Sequence, residues 1–377
     1  MTTAQSAAQV EKGRSAATGE RGIPRVASRC LFTAAPGSFR LHRPGDGVTG
    51  TVEVELAARP VDPDGGLKNF MAGQQKQREV TGRVITRGPG PFVTWCLVQF
   101  VSGGHLVAHS RRHRKGLRPH RVRTEAMGSK LLALEARAFG HLWGLRRLGW
   151  WVAVLFIVGS ACFTVGAFAA AFPTIAPGPL AEGQFLGQLF AVGAVFFTGA
   201  AWLQWLEALN GDVLDALTSG PRRGWRWVGW LPRNLGYLAS SVQLVGTLLF
   251  NVSTLAATRP ELSARQESLW IWAPNMAGCV CFLVASYAAY AEISHGPVSF
   301  APRSLSWWIV MINIAGSVAF QISGFTSYVG ASSSLLFWSN VFTMTGGACF
   351  LVGAYLLIPE LFDEVEGAPE GGALPAL

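Results

Sequence analysis

Beyond residue 148 the chain is written in long apolar runs separated by short polar stretches. Six runs, at about 149–171, 186–208, 236–257, 270–291, 305–328 and 336–358, reach the length needed to cross a bilayer. A hydrocarbon core of about 30 Å takes roughly 20 apolar residues as a helix. None of the runs alternates with period two. Of the two structures that satisfy every backbone group in lipid, the pattern therefore predicts helices rather than barrel strands. Upstream the pattern changes. TGTVEVEL (49–56) and REVTGRVI (78–85) alternate as strands do, and PFVTWCLVQFV (91–101) is apolar but too short to span. The predicted fold class is an all-α polytopic membrane protein of six transmembrane helices. Ahead of them, residues 1–126 read as disordered, above all over 1–45, or as a small β-rich module.

The six runs share an internal register. Gly, three residues, Phe, two residues and a small residue recur as Gly159-Phe163-Gly166, Gly193-Phe197-Ala200, Gly246-Phe250-Ser253, Gly278-Phe282-Ala285, Gly316-Phe320-Ser323 and Gly346-Phe350-Gly353. A pattern found in all six is an internal repeat. Offsets 0, 4 and 7 fall on one helix face. Small residues there let two backbones approach, and the ring fills what the neighbour's glycine leaves open. The spacing between successive motif glycines is 34, 53, 32, 38 and 30 residues. Short and long alternate, so the predicted unit is a two-helix hairpin present three times. Parallel copies of this kind relate by an axis along the membrane normal.

Charge sets the orientation. Residues 1–126 carry 20 Lys/Arg against 9 Asp/Glu, leaving 11 against 13 for 127–377, so the formal charge of +9 belongs to the leader. Around the spans, Lys130, Arg137, Arg146 and Arg147, then Arg222, Arg223, Arg226 and Arg233, then Arg303, all fall on one side. The other side has only Arg259 and Arg265, each with an acidic neighbour. The positive-inside rule predicts both termini in the cytoplasm. The Arg- and Ala-rich composition suits a bacterial chain, hence a bacterial inner membrane, and no cleavable signal peptide is evident. Trp150, Trp151, Trp270, Trp272, Trp307, Trp308 and Trp338 sit near span ends as interfacial anchors do. In PRRGWRWVGWLPRN (221–234), Arg222, Arg223 and Arg226 interleave with Trp225 and Trp227; beside a membrane this reads as contact with anionic headgroups, not with nucleic acid.

These features divide the chain into a basic leader at 1–126 and a juxtamembrane segment at 127–148. Hairpins follow at 149–208, 236–291 and 305–358, with an Arg/Trp loop at 209–235 and an acidic tail at 359–377. A second reading of the leader takes Met127, which opens MGSKLLALEARAFGHLWGLRRLGWW, as the true start.

GGACFLVGAYLLIP (346–359), preceded by WWIVMINIAGSVAFQISGF (307–325), resembles the YrhK-like two-helix membrane domain of bacteria, and LGWWVAVLFIVGSACF (148–163) is similar. The resemblance covers about 149–360 as three copies and implies the hairpin fold. Spans two and four lack the family's proline, and acidic residues stand where basic ones are expected. The resemblance supplies no activity and no site residues.

Ten residues after the motif Phe, each even span carries a glutamate: Glu207, Glu292 and Glu360. The plainer reading makes them interfacial side chains reaching water, or partners of Arg146, Arg147 or Arg233. The sharper one lets them converge at the inner face and bind or gate a cation. Spans three and five share amides at equivalent positions, Gln243 with Asn313 and Asn251 with Gln321, read as interhelical glue or as the lining of a polar path. Pro274 beside Asn275 is expected to loosen the start of span four. His105, His109 and His113 are spaced as metal ligands on a helix would be, but amid arginines that repel a cation. The segment RRHRKGLRPHRVR (111–123) resembles a polybasic stretch near the inner leaflet. No motif of hydrolases, zincins or P-loops is present, the cysteines within spans pack as small hydrophobes, and no cofactor is implied. The expectation is a structural, sensory or partner-binding membrane protein without chemistry, able to form homo-oligomers. The alternative is a small-solute or cation transporter using the glutamates.

Overall fold

The computed structural model describes residues 50–56, 80–100, 105–117, 120–122, 143–176, 178, 183–211, 224–259 and 261–362. The stretch 1–45 therefore lies outside the described residues, as does 363–377. Two parts are seen, a small antiparallel sheet and a helical bundle.

The sheet is a meander in chain order: β1 (Gly50–Leu56), β2 (Val80–Arg87), β3 (Trp95–Phe100), β4 (His105–His109) and β5 (His120–Val122). The two alternating stretches and the short apolar run each become a strand. Between β4 and β5 lies a single helical turn, α1 (Ser110–Arg114). The Ser110 amide donates to the Thr94 carbonyl at 2.9 Å, so the chain leaves the ladder directly into this turn. Gly116, at φ 71°, ends it in a left-handed conformation that other residues adopt at a cost. The histidine spacing does not mark a helix. His105 and His109 lie in β4 and only His113 lies in α1; four residues apart also means one face of a strand.

Six helices long and apolar enough to cross a membrane follow: α2 (Leu148–Ala171), α3 (Gly183–Asn210), α4 (Leu235–Ala257), α5 (Ala264–Ser294), α6 (Leu305–Thr326) and α7 (Ser333–Glu360). The starts of α4, α5, α6 and α7 are set by side-chain caps. Asn234, Ser304 and Ser332 accept from the third residue on, at 3.0, 3.2 and 3.4 Å, and Ser263 with Gln266 forms a capping box. Pro274 coincides with a π-turn over Ser268–Trp272 inside α5, where the Ser253 hydroxyl donates to the Ile271 carbonyl at 2.8 Å.

Packing follows the Gly-Phe register. The motif glycines meet in pairs, Gly159 with Gly193, Gly246 with Gly278 and Gly316 with Gly346. A Cβ on Gly159 would lie 2.9 Å from the Gly193 carbonyl oxygen and 2.5 Å from the Phe197 ring; on Gly346 it would lie 3.0 Å from the Gly316 oxygen and 3.0 Å from the Phe320 ring. Each Phe thus rests on the partner helix's glycine. Contacts of α7 with α2, α3 with α4 and α5 with α6 close the six helices into a ring.

Inside that ring the six phenylalanines are buried and form two triangular layers. Phe163, Phe250 and Phe320 have centroids 6.2, 6.0 and 6.1 Å apart; Phe197, Phe282 and Phe350 are 6.2, 6.0 and 5.6 Å apart. Within each helix pair the rings lie 5.5, 5.2 and 5.6 Å apart. These separations suit edge-to-face and offset contacts. The remaining motif positions Gly166, Ala200, Ser253, Ala285, Ser323 and Gly353 are buried as well. Ser323 bonds Ser339 and Thr343 of α7 at 3.0 and 2.6 Å.

The tryptophan expectation needs one correction. Trp151, Trp270, Trp308 and Trp338 face outward, but Trp150 and Trp307 are buried. With Tyr237 they stand nine residues before the motif glycine of α2, α6 and α4, each buried in its own cluster. In a pair of adjacent tryptophans only one can face lipid.

Candidate functional site

The three glutamates close α3, α5 and α7 at one end of the ring. They are not interfacial side chains reaching water: Glu207, Glu292 and Glu360 are 7, 1 and 2% exposed. Ten residues before the motif glycine, α2, α4 and α6 present Gly149, Gly236 and Ser306, small residues that leave room beside each carboxylate.

Nor are Arg146, Arg147 and Arg233 their partners. Arg147 donates to the Leu361 carbonyl instead. The cations come from α1 and from Lys115, which caps its end. Arg111 donates to Glu360 through Nε at 2.6 Å and Nη2 at 3.0 Å, and Lys115 pairs with the same carboxylate. Ser306 Oγ adds a third donor at 2.5 Å. Arg114 forks onto Glu292 at 2.8 and 3.1 Å, and Ser110 Oγ donates at 2.5 Å. A Cβ on Gly236 would fall on the Arg114 guanidinium, and one on Gly211 would lie 2.5 Å from the Arg114 Cα, so two glycines admit α1. Charged donors on buried carboxylates form the strong class of hydrogen bond. The stretch 111–115, part of the segment read as polybasic and leaflet-bound, is thus seated on the bundle end.

A second contact fastens the sheet. His295, left-handed at φ 52°, follows the last turn of α5. Its Nδ1 is 2.8 Å from the Thr94 hydroxyl and its Nε2 is 3.2 Å from His109 Nδ1. Burial, with Arg87 adding to it, pushes the His295 imidazole down to about 4 against an opposing pull from Glu292. It is therefore neutral near pH 7.

Beneath α1 lies a cavity of about 70 Å³, lined among others by Glu207, Gln204, Gln243, Asn313, Phe156 and Phe350. The amides divide. Gln243 and Asn313 line this cavity, Gln243 meeting Gln204 at 3.5 Å. Asn251 donates to Thr198 at 2.5 Å and Gln321 to the Met276 sulfur at 2.9 Å, joining α4 to α3 and α6 to α5 as interhelical bonds. The Phe layers then block the axis beyond the cavity. Sequence reasoning missed α1 altogether; the small residues facing each glutamate were the signal available.

Of the residues read as headgroup contacts, Trp225 and Trp227 are exposed, and Asn210 pins the loop through the Arg226 backbone at 2.7 and 2.9 Å. Arg222 and Arg223 lie outside the described residues. Among the described residues no cluster of three or more metal-ligating side chains occurs.

Six helices long and apolar enough to span a membrane, ringed about an aromatic centre, make the chain a mostly helical integral membrane protein, and the five-stranded sheet ahead of them corrects the all-α expectation. Comparison with protein-family models, curated proteins and solved structures gives no match.

Proposed function

We propose that the chain is a bacterial inner-membrane protein built from three tandem YrhK-like hairpins, with both termini cytoplasmic, that works as a sensory or partner-binding receptor without chemistry. Its cytoplasmic end is the receptor site, and the basic segment 111–115 of its own N-terminal module is the resident ligand. One observation carries this reading: Glu292 and Glu360 are buried under Arg114, Arg111 and Lys115. A buried charge whose partner leaves is costly, so the two parts communicate through that contact. The basic N-terminal surface and the Arg/Trp loop meet anionic headgroups in this reading.

The transport alternative draws on the cavity that reaches Gln243 and Asn313. The double Phe layer argues against a continuous polar route. Cation flux into liposomes carrying the full-length protein separates the two. The receptor reading expects flux at the level of empty liposomes. Saturable flux that falls in Glu292→Gln would overturn it.

A further inference from the structure

The turns that lead into α2, α4 and α6 repeat as closely as the spans do. In each, an amide donates to the carbonyl three residues back: Arg147 to Gly144, Asn234 to Leu231 and Ser304 to Ala301, at 2.8, 3.0 and 3.0 Å. The turn tips hold Leu145-Arg146, Pro232-Arg233 and Pro302-Arg303, and all three arginines are exposed. Proline ahead of the arginine presets the backbone of such a turn. Just before each turn stands a large ring, Trp143, Trp230 or Phe300.

Packing holds these rings in place. Trp143, Trp230 and Phe300 lie against the buried Trp150, Tyr237 and Trp307, with centroids 6.2, 6.1 and 5.4 Å apart. Tyr237 Oη donates to the Gly229 carbonyl at 2.8 Å and Trp307 Nε1 to the Ser299 carbonyl at 3.2 Å, fixing the residue ahead of the ring in both turns. The outward indoles of Trp151 and Trp308 donate to the tip carbonyls of Leu145 and Pro302 at 3.1 and 2.8 Å. Even so, the three rings are 76, 71 and 79% exposed.

Large apolar rings left bare three times at one register mark a surface that something covers. Position and charge say what. The turns border helices of bilayer length, where aromatic rings settle at headgroup level. Each ring is followed three residues on by an arginine, and 143–151, 224–238 and 297–308 hold no Asp or Glu. A guanidinium offers a planar pair of donors that fits phosphate. The bilayer surrounds the ring of helices evenly, so a lipid site repeats with the spans.

We propose that the three turns are equivalent binding sites for an anionic phospholipid headgroup, at Trp143 with Arg146, Trp230 with Arg233 and Phe300 with Arg303. This rests on the membrane placement in the proposed function and extends it, since the Arg/Trp loop borders only the second site. It does not depend on the seating of α1.

The test is native mass spectrometry of the full-length protein, delipidated in detergent and titrated with phosphatidylglycerol or phosphatidylcholine. Expected are three phosphatidylglycerol molecules per chain, each held about fivefold more tightly than phosphatidylcholine. Arg303→Gln should leave two, and the variant carrying Arg146→Gln, Arg233→Gln and Arg303→Gln none. Should the triple variant fail to fold, the count in Arg303→Gln decides. Arg259→Gln, at the other end of the bundle, should keep all three. Glu292→Gln weakens α1 docking and should also leave three, so this proposal and the receptor reading fail separately. Equal retention of the two lipids, an unchanged count in Arg303→Gln, or the same loss in Arg259→Gln would overturn the proposal. Displacement by inorganic phosphate at equal concentration would make the ligand a soluble anion and overturn it too.

Discussion

The aromatic centre of the ring and its carboxylate end are built on the same register and behave differently. In the centre, six phenylalanines fill two near-equilateral triangles, and every helix pair repeats the same glycine contact. At the end, three glutamates at one level receive three, two and no hydrogen-bonding side chains. Ring packing is short-ranged and depends only on neighbours within the ring, so it repeats with the sequence. The carboxylates are met from outside by one helical turn, whose cations cannot reproduce threefold order. Regularity therefore marks the scaffold, and its loss marks where the bundle engages something else.

That contrast can be broken from either side. In the centre, Phe197→Ala and Phe282→Ala are each expected to cost about 3–5 kcal/mol, and equally, because their rings occupy equivalent places. Unequal losses in thermal or SDS unfolding would contradict the threefold core. At the end the prediction is the opposite. Glu292→Ala strands Arg114 and should cost about 3–5 kcal/mol, while Glu207→Gln should cost under about 1 kcal/mol; matching losses would erase the asymmetry.

Gly346→Ala forces a Cβ to 3.0 Å from the Gly316 oxygen and is expected to lose about 1–3 kcal/mol. Gly199→Ala, with its nearest neighbour 3.6 Å away, should be neutral or gain up to about 1 kcal/mol from helix propensity. The smallest effect at neutral pH concerns His295. Its folded value of about 4 lies below the ordinary 6.5, so the unfolded or released form binds the extra proton. Its contribution is fully present above about pH 6.5 and fades as pH falls toward 4. His295→Asn should flatten that part of the stability profile.

Much of this scaffold was legible from residues alone. Small residues four before and three after an aromatic ring have one use in lipid, and the six helices pack as that spacing implies. The glutamate register was equally readable, because helix periodicity carries it down the same face. The partner was not. Arg146, Arg147 and Arg233 are the basic residues that flank the spans on the side of the glutamates, whereas Arg111 and Arg114 belong to a turn ahead of the bundle, 249 residues from Glu360 and 178 from Glu292. Such a contact leaves no period. The histidines misled for a related reason, since a spacing of four keeps one face in a helix and in a strand alike. Gly149, Gly236 and Ser306 held the overlooked clue, being small residues where the opposite helix ends in a carboxylate.

The account turns on the seating of α1 by its cations on buried glutamates. A double-mutant cycle of Arg114→Ala and Glu292→Ala, read by unfolding of the full-length protein, tests it most directly. The predicted coupling is about 1–3 kcal/mol, the double variant being far less damaged than the two single losses added together. Strict additivity of the two substitutions would mean that Arg114 and Glu292 do not meet, and would contradict the account.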